Sequence, residues 1–153
     1  MHKYRPELFF VNILIATDKI IRNTKNISFN QFVSDEKVFG FTIRELQEIG
    51  ESARKLLQNK SVQEKSDIEW KKIIAFRNFV VHKYFGIEPG IVFEVATKEI
   101  PLLEKNVLNL IKRMKDKKYL LQAMGDTKTV LSKLNRRDSV AYLKKIEGLI
   151  NNG

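Results

Sequence analysis

Cysteine is absent from the 153 residues, which excludes a disulfide framework, a thiolate zinc site and a cysteine nucleophile. The same absence suits a reducing compartment. Proline and glycine are scarce, three and seven, so neither a disordered chain nor an all-β fold built on tight turns is favoured. No apolar run is long enough to span a bilayer: the longest, residues 8–16, is interrupted by Asn12. Glu7 and the lack of a small-residue cleavage site argue against a secretory signal. The expectation is a soluble, cytoplasmic chain with no membrane contact. Histidine occurs only twice. No Asp/Glu/His cluster has metal-ligand spacing, and no glycine-rich phosphate loop is present. Neither a metal nor another cofactor is expected.

Acidic residues are in deficit, 18 against 28 basic ones, for a net charge of +10. The excess is concentrated: residues 112–153 hold eleven Lys/Arg and four Asp/Glu, leaving about +3 on everything before them. Such a balance points to a polyanion partner, because Lys and Arg displace counterions from a phosphate backbone. A solvated basic helix face is the alternative.

What is present reads as helix almost throughout. Pro6 suits a first helical turn and opens a helix over residues 6–26, apolar enough to sit centrally or at a subunit contact. Ser28 and Gln31 have capping-box spacing before a short turn. A long amphipathic helix covers 36–58, and the polar stretch 59–65 reads as a loop. Ser66 and Glu69 form a second capping box, opening a helix through Trp70 and Val80. Gly86-Ile87-Glu88-Pro89-Gly90 ends it. A fourth helix covers 91–114, with a kink or break predicted at Pro101. The fold class is therefore all-α: an antiparallel four-helix bundle over residues 1–114, with a basic helical extension over 115–153. The extension reads as two helices with joints near Gly125-Asp126 and near residues 136–139. Val130, Leu131, Leu134, Val140, Leu143, Ile146 and Ile150 are its docking positions.

One segment carries candidate chemistry. His2 is set aside as terminal. His82 lies near the end of the third long helix, five residues after Arg77, with Asn78 beside that arginine and Tyr84 beyond. At about 100° per residue, Asn78 and His82 share a face, whereas Arg77 and His82 are about 140° apart. One regular helix does not bring both to a single phosphate. A loosened helix end, the reach of Arg77, or a second copy across a two-fold axis would do so. Histidine titrates near neutrality and can accept a proton from a ribose 2′-OH or return one to a leaving oxygen. A guanidinium stabilises a phosphate gathering charge. The same residues can equally be a hydrogen-bonded surface histidine and an ordinary ion-pair arginine.

The pattern Arg77-Asn78-x-x-x-His82-x-Tyr84-Phe85-Gly86-Ile87 resembles the motif of the HepT-like toxins, small helical ribonucleases of the HEPN superfamily. Trp70-Lys71-Lys72-Ile73-Ile74, Ile49-Gly50-Glu51-Ser52-Ala53 and Ser28-Phe29-x-x-Phe32 resemble further stretches of that family, in the same order, over about residues 8–112. The resemblance implies a four-helix bundle that pairs as a homodimer, with a higher oligomer left open, and two motif copies facing one cleft. It implies a toxin of a toxin–antitoxin system that cuts RNA without metal through the 2′-OH. His82 would be the acid/base, Arg77 the phosphate group's partner, and Asn78 a polar support. A minimal nucleotidyltransferase antitoxin would be the protein partner, adenylylating Tyr84, where added bulk and negative charge would occupy the phosphate site. Gln47 stands where relatives often carry a glutamate. Glu51 remains as a carboxylate for Arg77, sharing a helical face with Arg44 and Gln47. Two other readings stay open: a non-catalytic helical subunit partnering a nucleotidyltransferase, and a nucleic-acid binder acting mainly through its C-terminal residues.

Overall fold

The computed structural model describes residues 5–58, 67–82 and 86–152, with His82 described in its backbone alone. Among them the chain is helical, with no strand. Helix α1 (Pro6–Thr24) starts on its proline and buries Phe10, Val11, Ile13, Leu14, Ile15, Ala16 and Ile20. Its buried hydroxyls are satisfied within the helix: Thr17 Oγ1 donates to the Leu14 carbonyl at 2.7 Å and Thr24 Oγ1 to that of Ile20 at 2.8 Å. That local bonding removes the penalty for burying them.

The chain leaves α1 through Asn26, whose φ of 61° lies in the left-handed region that asparagine tolerates. Ser28 and Gln31 then cap α2 (Phe29–Ser34) reciprocally. Asp35 Oδ1 accepts from the Lys37 and Val38 amides, both at 3.1 Å, and so starts α3 (Glu36–Leu57). Phe32 anchors α2, packed edge-on to Phe39 and stacked on Phe93 at 5.2 Å. Helix α4 (Trp70–His82) follows. Its Trp70 meets Phe10 edge to face at 6.3 Å, so α4 begins beside the first half of α1. Ser66, half of the second expected capping box, lies outside the described residues.

The fourth long helix is continuous but not uniform. It runs as α5 (Pro89–Glu94), a π-helical turn (Val95–Glu99) and α6 (Ile100–Lys112). The kink or break expected at Pro101 takes this form. The Ile100 amide donates back five residues to the Val95 carbonyl, and the widened turn accommodates a proline that has no N–H to give. Helix α1 packs on α3 and α6, and α3 packs on α4.

Residues beyond α6 fold back as a helical hairpin, α7 (Lys118–Lys133) and α8 (Arg137–Asn151), laid on α1. This corrects the joint expected at Gly125-Asp126: α7 passes through both without interruption. A lone glycine costs a helix only about 1 kcal/mol, and Leu120, Ala123 and Met124, all buried, hold that stretch down. The turn comes instead at Asn135, φ 57°. Two expected docking residues are also corrected. Val130 and Leu134 are 56% and 58% exposed, while Leu143, Ile146 and Ile150 are buried as expected. Tyr142 adds a polar tie, donating to Glu104 Oε2 of α6 at 2.8 Å. Burial, reinforced by Glu104, holds the Tyr142 phenol protonated well above its ordinary range. No helix among the described residues is long and apolar enough to cross a membrane.

Candidate functional site

The site is built where α4 crosses α3. Gly50 lies against the stem of Arg77 so closely that a Cβ added there would overlap Arg77 Cβ and Cγ. The glycine is helical and gains nothing from its backbone freedom; its use is to let the two helices approach. The next residue, Glu51, is on the same stretch of α3. Its Oε2 lies 3.7 Å from Arg77 Nη2, an ion pair beyond hydrogen-bonding reach. Arg54 holds Glu51 more firmly, at 2.6 Å between Nη2 and Oε1. That hydrogen bond is the main reason the Glu51 carboxyl stays ionised below its ordinary range, with the Arg77 charge contributing less.

Arg77 Nη1 donates to Asn78 Oδ1 at 3.0 Å. Arg77 Nε is buried and has no hydrogen-bond partner among the described residues. The guanidinium therefore sits about one-third exposed, tethered by a carboxylate on one side and an amide on the other, with donor capacity left over. An arginine held so can meet an anion without first being ordered, which lowers the entropic cost of engagement.

Of the sequence-derived residues, Arg77, Asn78 and Glu51 come together. Helix α4 stays regular from Arg77 to His82, so the backbone does not loosen over that interval. Five residues of ideal helix separate the two by about 7.5 Å along the axis and about 140° around it. The His82 side chain and Tyr84 lie outside the described residues. Sequence reasoning missed Arg54 as the firmer partner of Glu51. It also missed the reason for Gly50, although a glycine inside an amphipathic helical pattern is itself a signal of close approach.

Beside the site, a groove of about 520 Å³ opens between α3, α4 and the π turn with α6. Ile49, Ile73, Phe76 and Leu102 make it mainly apolar, and Lys72 and Asn106 supply polar groups. Further along α4, Phe79 and Val81 are exposed.

Residues 13–110 match the family model described as ribonuclease HepT-like. The chain belongs to the HepT-like ribonuclease family. A protein of Methanocaldococcus jannaschii named as an RNase is 32% identical to this HepT-like chain over 108 residues, covering 70% of this chain and 97% of that one. Another so named, from Caldanaerobacter subterraneus subsp. tengcongensis, is 36% identical over 111 residues, covering 72% and 97%. A Thermococcus cleftensis protein named as ribonuclease HepT is 29% identical over 96 residues, covering 63% and 86%. No solved structure matches significantly. Both Arg77 with its α3 partners and the whole of α4 fall inside the matched region, whereas α7 and α8 fall outside it. Family membership makes this HepT-like chain a ribonuclease.

Proposed function

We propose that this HepT-like chain is the toxin of a toxin–antitoxin pair and cuts RNA internally without a metal ion. In this reading a ribose 2′-oxygen attacks the adjacent phosphorus, the bond from phosphorus to the 5′-oxygen breaks, and the products are a cyclic phosphate and a free 5′-hydroxyl. His82 takes the 2′ proton and returns a proton to the leaving oxygen. Arg77 binds the phosphate and stabilises the charge it gathers. Asn78 and Glu51 hold Arg77 in place. The observation that carries the reading is the Arg77 guanidinium, seated against Gly50 and tethered by Glu51 and Asn78 with a donor to spare.

The working unit in this reading is a cytoplasmic homodimer. Its second copy supplies a histidine from the facing motif, and exposed Phe79 and Val81 on α4 support such a contact. Residues 1–114 are the catalytic bundle and 115–153 an accessory. A minimal nucleotidyltransferase is the antitoxin and silences the toxin by adenylylating Tyr84.

The test is incubation of purified protein with single-stranded RNA in excess chelator, followed by analysis of the new ends. Cyclic phosphate termini are expected, and Arg77→Ala and His82→Ala should each remove at least a hundredfold of the rate, within the range of lost acid–base or charge-stabilising groups. Undiminished cleavage by both variants would refute the assignment.

A further inference from the structure

The α7–α8 hairpin segregates its charges. Three of the four carboxylates in residues 112–153 are spent on ion pairs. Asp126 and Asp138 pair with Arg5 and Arg22 at the two ends of α1, at 3.4 and 3.3 Å. Glu147 of α8 pairs with Lys128 of α7. The fourth, Asp116, accepts the Lys118 amide at 2.9 Å and so starts α7. The cations are left over. Lys115, Lys117 and Lys118 gather at the turn into α7; Lys133, Arg136 and Arg137 gather at the turn into α8. None of these six forms an ion pair with a described residue, and all but the half-buried Lys117 are exposed.

A solvated basic face would ordinarily intersperse both signs. Here the acids fasten the hairpin to the bundle or set its turns, and the bases face outward. We infer that the outward face of this hairpin is a binding surface for the phosphate backbone of single-stranded RNA, engaging substrate beyond the scissile bond. The inference rests on the ribonuclease reading for the identity of the polyanion. A lipid surface fits less well: a helix lying in a membrane interface needs an apolar face turned outward along its length. The apolar faces of α7 and α8, with Leu120, Met124, Leu143 and Ile146, are buried on the bundle instead. Exposed Val130 and Leu134 are one helical turn apart beside Lys133, too small an area for that role. They are suited to the edge of an unstacked base.

Two full-length variants test it, one with Lys115, Lys117 and Lys118 changed to Gln, the other with Lys133, Arg136 and Arg137 changed to Gln. Binding is measured to an oligoribonucleotide methylated at every 2′-oxygen, which cannot be cut by 2′ attack, across a salt series. Each released phosphate contact on a single strand is worth about 0.7 in the slope of log affinity against log salt. Loss of three contacts should flatten the slope by about 2 and weaken binding by roughly ten- to a hundredfold near 0.1 M salt. Cleavage of a dinucleotide, bound at α4 on the far side of α3 from the hairpin, should be unchanged. Wild-type slopes in both variants overturn the inference even if RNA is cut. Salt-dependent binding lost in the variants, with no RNA cut by any form, upholds the surface and refutes the ribonuclease reading instead. Unchanged RNA affinity with lost binding to phosphatidylserine vesicles would assign the face to lipid and also overturn it.

Discussion

Gly50 of α3 and Arg77 of α4 touch with no room for a side chain between them: a methyl group at position 50 would occupy the space of the arginine's own stem. The contact couples helix packing to the placement of one guanidinium. Gly50→Ala should force α3 and α4 apart, because the obstructing atoms are the Cβ and Cγ beside the backbone rather than a mobile tip. Overpacking of this kind costs about 1–3 kcal/mol. Urea denaturation should register that loss. RNA cleavage at a temperature where the variant stays folded should fall more than the folded fraction does.

Tyr142 and Glu104 tie the hairpin to the bundle through a 2.8 Å hydrogen bond. Tyr142→Phe keeps the packing and deletes the donor. A hydrogen bond to a carboxylate is worth about 1.5–3 kcal/mol, so the melting temperature should drop by several degrees. Amides of α8 should exchange faster with solvent than those of α3. An unchanged melting temperature would show that packing alone holds the hairpin.

Gly125 interrupts nothing, and an added Cβ there would meet nothing within 4 Å. Gly125→Ala should therefore stabilise the chain by about 0.4–1 kcal/mol through lost freedom in the unfolded state. A rise in the denaturation midpoint at constant slope is the expected reading. A fall would mean that α7 is not regular at this point.

Two glutamates on α3 should respond to acid in opposite directions. Burial raises the Glu45 carboxyl above its ordinary range despite Lys19 at 3.6 Å. The folded chain thus holds that proton more tightly than the unfolded one, and stability from this group is lost as pH rises through its raised value. Glu51 is shifted down, first by its hydrogen bond to Arg54. Its contribution is complete above the ordinary carboxylate range and is lost as pH falls through the lowered value. Glu45→Gln should remove part of the stability gained between neutral pH and pH 5, whereas Glu51→Gln should leave that interval unchanged. Denaturation curves across the pH series separate the two.

Much of this was legible beforehand because it is local. The Ser28–Gln31 capping box and the Pro6 start are decided within a few residues of chain, and both formed as read. Gly125-Asp126 misled because composition alone does not reveal that Leu120, Ala123 and Met124 hold α7 on α1 and outweigh a small propensity cost. Val130 and Leu134 misled for the converse reason: an apolar residue near a helix end docks only if something lies opposite. The Glu51 partnership with Arg77 was visible as a possibility of spacing. Its weakness relative to Arg54 was not, since one helical turn competes with a contact from another helix. Gly50 was noticed only as part of a resembling stretch, because its purpose is set by Arg77, 27 positions further along.

The π turn over Val95–Glu99 has a consequence for how the chain can vary. Val92, Ala96 and Ile100 recur every four residues and are all buried. Two such steps on an ideal α-helix would slip sideways by about 80°, and the wide turn absorbs that slip. It acts as a vernier, matching the α5 surface beneath α2 to the α6 surface against α1. Removing one residue within the turn would swing everything downstream by about 100°, lifting Leu103 and Val107 off α1 and carrying the attached hairpin with them. Length changes are therefore tolerable before Pro89 or after Lys112, and not between.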